Sequence, residues 1–344
     1  MLHSLIIGFG LAGMAYAEQL RQSAKDFRVI YQADSGSSLK AAGIFNPTIL
    51  KRYTMAWEGL DFYREANLFY SRQAARLGTN YFQSLPICKV FANDGDHNRW
   101  LSAAGSMGLD LFLDPKIYQD SIPNVKTPHG YGQVNGVGRL DIPGLQQHLI
   151  RENPASFMQE SFEFDALTVH PHGVEYKGIK AQQLIFCQGF QAQQNPFFPL
   201  PALKGCKGEF FIVEAPQWPE DKLLKSSIFI VPLGSHRFWV GATFDWKDKG
   251  LQPTVQGKEW LVARIDKLIQ GPYTILHHQA QIRPTVSDRR PLLEQHSQFK
   301  RLYAFNGLGT RGVLMAPRLS RLLVEAIDEQ KEIPVELTPN RSKE

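Results

Sequence analysis

The segment that most constrains the fold of this chain is GFGLAG, residues 8–13. It follows a short apolar run at residues 5–7, and the residues after it place apolar side chains at helical spacing. A second short apolar run, residues 27–31, comes next. Short apolar runs joined in this way predict a buried strand, a tight turn, a helix and a second parallel strand.

Each glycine of this turn has its own task. Gly8 permits the tight turn, Gly10 lets the backbone approach a pyrophosphate, and Gly13 lets the helix lie close to the strand. The helix predicted from Ala12 onward directs its unpaired N–H groups and its positive dipole end at the phosphates, and Leu11 and Ala12 are expected cofactor contacts beside the three glycines. The pattern therefore predicts a Rossmann-like α/β domain that binds a dinucleotide. The alternative is a tight turn that packs a helix and binds nothing.

The end of the second predicted strand departs from the usual fingerprint. Domains of this kind place an acidic residue there to bind a ribose hydroxyl. Here Gln32 occupies that place, Ala33 follows, and Asp34 comes next. Because a glutamine amide can also hydrogen-bond a hydroxyl, we expect these three residues to bind ribose, with Gln32 in the place of the acid.

The same glycine spacing returns in GLGTRG, residues 307–312, between a predicted strand at 301–305 and a predicted amphipathic helix. The few residues beyond this helix do not make another α/β unit, so we interpret the turn as a second helix N-terminus directed at the same ligand. A flavin offers such a target, since its pyrimidine edge gains negative charge on reduction and a helix N-terminus stabilises that charge. NAD has no such edge, so the two turns together predict FAD. The expected contacts in the second turn are Gly307, Gly309, Thr310, Arg311 and Gly312.

The composition is that of a soluble globular protein with two domains or one large one, since 43% of the 344 residues are hydrophobic and 21% are charged. Cys88, Cys187 and Cys206 show no zinc-binding spacing, which indicates a reducing compartment. The adjacent His277 and His278 would point to opposite faces of a strand, so we expect no metal site. The opening segment lacks the basic residues of a signal peptide, and no long apolar stretch follows. A cytoplasmic protein without a membrane segment is therefore predicted.

Four segments, in this order along the chain, resemble the FAD-dependent D-amino-acid oxidase family, which includes glycine oxidase and sarcosine oxidase. They are IIGFGLAG at 6–13, GSSLKAAGIFNP at 36–47, QIRPTVSDRRPLL at 281–293 and LYAFNGLGTRGVLMAP at 302–317. LIFCQG at 184–189 is a smaller match. The resemblance covers nearly the whole chain. The second and fourth segments are most similar to the FAD-oxidase domain of the bifunctional tRNA 5-methylaminomethyl-2-thiouridine modification enzymes, whose methyltransferase half this chain lacks.

The resemblance implies a fold and further cofactor contacts. The expected fold is α/β (α+β overall), with a discontinuous Rossmann-like FAD-binding domain at 1–82, 140–202 and 278–344. A mostly antiparallel substrate-binding sheet at 83–139 and 203–277 is expected to cover the flavin. FAD is expected to be non-covalent, with these further contacts: Ser38, Ala42, Gly43, Ile44, Phe164 and Gly189. In this interpretation Gly43 and Ile44 lie against the flavin ring. Ser38 either binds the pyrophosphate or caps a helix.

The resemblance also implies the chemistry. The family oxidises a C–N bond beside a carboxylate by hydride transfer to flavin N5, and water then hydrolyses the imine. The electron acceptor would be oxygen or a quinone. Arg283 falls on the family's carboxylate-binding position, where a planar, permanently charged fork suits a carboxylate. Arg311 either stabilises a flavin or substrate anion or points to solvent. Phe229, in a hairpin predicted at 227–244, falls where some members carry a tyrosine that touches the substrate.

Three functions stay open at this point. The first is an FAD-dependent oxidase or dehydrogenase for an amino acid or a secondary amine carboxylate. The second is a tRNA-modifying FAD oxidase that removes a carboxymethyl group from a wobble uridine. Eight basic and two acidic residues between Arg283 and Arg321 could favour it, or they could be a solvated face. The third is an FAD-binding protein without turnover.

Overall fold

The computed structural model describes residues 1–33, 36–339 and 341 of the chain. Asp34, one of the expected ribose contacts, lies outside the described residues. The α-helices are α1 Leu11–Gln22, α2 Gly59–Leu77, α3 Gly95–Ala104, α4 Ile142–Glu152, α5 Val255–Leu268 and α6 Gly312–Asp328. The strands are β1 Leu2–Ile7, β2 Phe27–Tyr31, β3 Ile44–Phe45, β4 Thr48–Ile49, β5 Thr54–Met55, β6 Phe82–Ser84, β7 Ile87–Val90, β8 Tyr131–Val134, β9 Gly138–Leu140, β10 Phe157–Gln159, β11 Leu167–His170, β12 Gly173–Tyr176, β13 Ile179–Phe186, β14 Cys206–Glu214, β15 Leu223–Lys225, β16 Phe229–Gly234, β17 Arg237–Gly241, β18 Thr274–Arg283, β19 Leu292–Gln295 and β20 Leu302–Asn306.

The first sheet has a parallel centre with the order β10-β2-β1-β13-β20. The antiparallel strand β19 extends it beyond β20, and the β11–β12 hairpin pairs with the start of β13. One face packs against α1, α2, α4 and α6, and the segment 192–203 packs against the other. Burial on both faces explains why β1 reads as a continuous apolar run rather than an alternating one.

The two helices that follow the glycine turns lie side by side. A Cβ added to Gly312, the first residue of α6, would lie 2.7 Å from Cδ1 of Leu11, the first residue of α1. The two N-termini therefore converge on one side of the first sheet, as the sequence predicts. Such convergence requires β1 and β20 to run in the same direction on either side of β13, which they do.

The second sheet has seven strands in the order β18-β14-β17-β16-β15-β7-β8, and every pair is antiparallel except β15–β7. This confirms the predicted fold class of an α/β domain with a mostly antiparallel second sheet. Helix α5 packs on one face. The opposite face, which we call the inner face, packs against residues 42–60. Trp239 on that face donates a hydrogen bond from Nε1 to the carbonyl of Lys40 at 3.1 Å.

The structure places two of the expected FAD contacts in turns. Phe164 lies in a 3-10 turn at Phe164–Ala166 before β11 begins. No helix begins beside Ser38, which lies in a turn at residues 37–40. The domain limit expected at residue 278 would cut β18, so we propose that the substrate-binding segment extends to Arg283.

Candidate active site

The first glycine turn is held by backbone contacts that exclude side chains. Gly8 has a φ of +99°, and a Cβ there would lie 2.5 Å from the carbonyl oxygen of Cys187. A Cβ on Gly13 would lie 2.1 Å from the carbonyl oxygen of Gly8. Both glycines are therefore required by packing between the turn, α1 and the end of β13.

Two polar side chains from other segments hold this turn in place. The hydroxyl of Ser38 accepts a hydrogen bond from the N–H of Leu11, the first residue of α1, at 3.1 Å. Gln146 of α4 is buried and donates from Nε2 to the carbonyl of Phe9 at 2.6 Å. The sequence analysis named Ser38 for a pyrophosphate contact or a helix cap, and it missed Gln146, because an amide in an amphipathic helix carries no pattern of its own.

The second glycine turn follows β20 and leads directly into α6. Gly307 and Gly309 have φ values of +74° and +54°, and Arg311 is the N-cap of the helix. Asn306, at the end of β20, accepts from the N–H of Gly307 and donates to the carbonyl of Gly189, both at 2.8 Å. The second turn and the end of β13 are thus joined by one buried amide. Thr310, also expected to contact FAD, is exposed in this turn.

The remaining expected contacts of the nucleotide half lie near the carboxyl ends of the parallel strands. Gln32 donates from Nε2 to the hydroxyl of Ser161 at 2.7 Å and accepts from Gln191 at 3.2 Å. Gly189 begins a 3-10 helix with a φ of +57°. Phe164 packs against Phe186, with ring centroids 6.1 Å apart. Ligands of open α/β sheets bind at this edge, so Gln32, Ala33 and Gly189 stay candidate contacts.

The segment at 42–44 crosses from the first sheet toward the inner face of the second. Gly43 has a φ of +74°, and a Cβ there would lie 2.0 Å from the carbonyl oxygen of Leu140 in β9. Packing against β9 thus requires glycine at this position independently of any ring. Ala42 is buried and Ile44 pairs with Arg139. Contact of these residues with the flavin remains a prediction.

Arg283, the last residue of β18, lies beside the second glycine turn, since the N–H of Gly309 donates to the carbonyl of Pro284 at 3.0 Å. The guanidinium donates to the carbonyl of Thr243 at 3.3 and 3.4 Å and lies 4.5 Å from the ring centroid of Phe244. A Cβ on Gly208 would lie 2.1 Å from its Nη2. Glycine at this position of β14 is what lets the guanidinium fold over the sheet.

Both arginines of the expected site lack an acidic partner. No ion pair within the described part of the chain includes Arg283 or Arg311. Burial lowers the pKa of both guanidinium groups, and for Arg311 the nearby Arg289 acts in the same direction. Arg311 donates weakly to the carbonyl of Thr48 at 3.4 Å, and its buried Nε has no hydrogen-bond partner in the part of the chain that the structure describes. A buried cation without a counter-ion is costly unless an anion binds.

These features fit FAD. The first turns of α1 and α6 contain no acidic residue, so neither helix N-terminus would present a competing carboxylate to a bound FAD. The buried Nε of Arg311 is unpaired at the start of α6. An anionic edge and a pyrophosphate are the groups that such donors bind.

A model of the FAD-dependent oxidoreductase (DAO) family matches residues 3–326. The chain belongs to the FAD-dependent oxidoreductase family. The predicted family, enzyme class and FAD cofactor are thereby confirmed. Over 101 residues the sequence is 30% identical to a glycine oxidase from Bacillus licheniformis, and this match spans 29% of the chain and 27% of that protein.

Solved structures of the family share the fold over the full length of this FAD-dependent oxidoreductase. Glycine oxidase from Geobacillus kaustophilus superimposes with a TM-score of 0.78 at 18% identity, covering 100% of this chain and 99% of that one. Iminodiacetate oxidase from Chelativorans sp. BNC1 gives 0.77 at 20% identity, covering 98% and 99%. Among the described residues no helix combines the length and apolar character needed to cross a membrane. Nor do these residues group three or more metal-ligating side chains at one point.

Proposed function

We propose that this FAD-dependent oxidoreductase oxidises the C–N bond of an amino acid or secondary amine that carries a carboxylate. One observation supports this most. Arg283 is a half-buried cation without an acidic partner among the described residues, and it lies next to the second glycine turn. A permanently charged, planar donor at that place suits a substrate carboxylate.

The surroundings of Arg283 leave room for this role. Its contacts with Thr243 are long for charge-assisted hydrogen bonds, and Phe244 covers the guanidinium with an exposed aromatic ring. A carboxylate would replace the long contacts with two short parallel ones. The guanidinium would then fix the carbon between carboxylate and amine relative to the cofactor.

Bound FAD supplies the hydride acceptor for the carbon beside the amine nitrogen. The chain supplies position and electrostatics. The groups in contact with the guanidinium of Arg283 are carbonyl oxygens, the ring of Phe244 and the thiol of Cys206, whose pKa is raised by burial. None of these accepts a proton readily at neutral pH, so we propose that the substrate amine binds in its neutral form.

An anaerobic screen tests the proposal. The yellow holoenzyme is mixed with a panel of amino acids and N-substituted glycines, and loss of the flavin colour is recorded. Some member should bleach the wild type, and Arg283→Ala should keep the flavin but lose bleaching by that member. Arg301→Ala is the control, because that side chain lies outside the site and donates to the carbonyl of Pro171. If Arg283→Ala bleaches normally, the assignment of Arg283 is wrong.

The tRNA alternative receives less support from the structure. Part of the positive charge between residues 283 and 321 is neutralised, because Arg318 and Arg321 pair with Glu65 of α2 at 3.2 and 2.8 Å. Arg283 and Arg311 lie inside the candidate site. Bleaching by modified tRNA, and by no small amine, would favour this alternative. The same screen, repeated with oxygen or a soluble quinone, identifies the electron acceptor.

A further inference from the structure

The inner face of the second sheet carries a second group of cations, Lys51, Lys89 and Lys225, which we call the lysine cluster. Lys89 lies on β7 and Lys225 on β15, and they are direct partners in the parallel β7–β15 pair. Because paired residues of neighbouring strands point to the same side, both side chains share one face. Lys51 lies in the hairpin that joins β4 to β5.

This face is the one that carries Arg283. Lys225 is paired with Phe229, Phe229 with Gly241, and Gly241 with Phe210. Phe210 is in turn paired with Gln279, four residues before Arg283 on β18. Because side chains alternate between the two faces along β18, Gln279 and Arg283 point to the same face. Lys89, Lys225 and Arg283 therefore lie on the same face of the second sheet.

Of the three lysines, Lys89 is buried, Lys225 is half-buried and Lys51 is exposed. No ion pair between described residues includes any of the three. Nζ of Lys225 donates to the carbonyl of Ser226 at 2.8 Å and lies 4.6 Å from the ring centroid of Phe229. Lys89 is buried and donates to the carbonyl of Val90. Among the described residues, carbonyl dipoles and an aromatic face offset the charge of Lys225, and a carbonyl and the more distant Asp96 offset that of Lys89.

The charges near Lys225 further disfavour its protonated form. Burial lowers the pKa of Lys225 to about 8, and Lys89 and Lys51 act in the same direction. The pKa of Lys89 is also lowered by burial, although there Asp96 opposes the shift. No carboxylate of the described residues raises the pKa of Lys225 in this way. A bound anion would compensate the positive charge of the lysine cluster.

The separation of the two cationic groups suits a small molecule. The guanidinium of Arg283 folds back over Gly208 of β14 and donates to Thr243, two residues beyond β17. Nζ of Lys225 lies over Phe229 of β16, the neighbour of β17. Since neighbouring strands lie about 4.8 Å apart, the two heads are on the order of 10 Å apart. With contacts of about 2.8 Å at each end, a molecule with two acidic groups can bridge them.

We propose that the lysine cluster is a second anion-binding subsite of the active site, so that the preferred substrate is an amine with two acidic groups. This inference rests on the proposed function, in which Arg283 holds one carboxylate. Lys225 holds the second, and Lys51 and Lys89 strengthen the positive field around it.

Binding of inert acids tests the subsite without turnover. Glutarate and pentanoate have the same chain length but two and one carboxylates, and both can be titrated into the holoenzyme while the flavin spectrum is recorded. Glutarate should bind ~10-fold or more tightly, as expected for one added charged contact. The preference should decline as pH rises through the pKa of Lys225, about 8. The groups that face Lys225 across this range are Lys89, Lys51 and the ring of Phe229.

Three variants separate a charge effect from a structural one. Lys225→Met should abolish the preference, and Lys225→Arg should keep it and remove its pH dependence, because arginine stays charged. Lys180→Met, on an exposed lysine of β13, should change nothing. Equal binding of the two acids by the wild type, or equal weakening of both in Lys225→Met, would overturn the inference.

Substrate oxidation distinguishes this inference from the proposed function. Iminodiacetate and sarcosine differ by one carboxylate on the same amine, and iminodiacetate should bleach the flavin with the higher kcat/KM. If sarcosine is equally efficient, the subsite is wrong and the proposed function stands. If glutarate is preferred but no amine carboxylate bleaches the flavin, the proposed function is wrong and the anion subsite stands.

Discussion

Gly208→Ala is the sharpest probe of the substrate anchor, because it moves Arg283 without removing it. A Cβ at this position would lie 2.1 Å from Nη2, 2.4 Å from Cζ and 2.5 Å from Nη1 of Arg283. Ordinary contact begins near 3.4 Å, so the guanidinium must move by at least about 1.3 Å. The clash involves the far end of a flexible side chain, so we expect the fold to tolerate it.

The expected effect is on catalysis. A displacement of about 1 Å in a positioning group can lower a rate about 100-fold, which corresponds to about 2.7 kcal/mol of lost transition-state stabilisation. We therefore expect kcat/KM for carboxylate substrates to fall about 100-fold, with FAD retained. Thermal unfolding should remain close to wild type.

Steady-state kinetics with the best substrate of the anaerobic screen, together with flavin content and thermal melting, measure these quantities. Gly105→Ala is the matched control, because the atoms nearest to its added Cβ lie 3.8 Å away and it caps α3, away from the site. The reasoning fails if Gly208→Ala retains FAD and keeps a kcat/KM within about twofold of wild type, since the effect sought is near 100-fold.

The remaining predictions concern the cofactor site and the lysine cluster. Gly13→Ala should yield protein without FAD and with a lower melting temperature, because its Cβ would lie 2.1 Å from the backbone oxygen of Gly8, which cannot turn away; normal flavin content after gel filtration would contradict this. Lys225→Met should stabilise the protein near pH 7 by up to about 3 kcal/mol, since burial lowers the pKa of this lysine from 10.5 to about 8. Between about pH 8 and pH 10.5, Lys225 therefore binds fewer protons in the folded wild type than in the unfolded chain. The contribution of Lys225 to the free energy of unfolding should therefore rise between about pH 8 and pH 10.5. Chemical denaturation of the wild type and of Lys225→Met measures this contribution, and a contribution that falls as pH rises would refute the assignment.

The parts of the site that could be predicted from sequence are those with local backbone requirements. Gly8, Gly307 and Gly309 have positive φ values, and Gly13 meets a backbone oxygen within its own turn. Such requirements recur at fixed spacing in any chain that forms this turn, so they leave a readable pattern. The strand-turn-helix order around them is equally local, which is why the family, the fold class and the FAD cofactor could be predicted.

Contacts between segments far apart in sequence left no such pattern. Gln146 reaches Phe9 across 137 positions, and Lys225 meets Lys89 only because β15 pairs with β7. In the sequence these look like ordinary polar residues of a helix and a strand. The fold of Arg283 over Gly208 likewise comes from the pairing of β14 with β18, and its position beside the second glycine turn comes from the hydrogen bond between Gly309 and Pro284. The sequence by itself determined how each helix N-terminus is built, because bond geometry acts within a few residues. Only the tertiary structure decided which charges share one face, because that depends on which strands become neighbours.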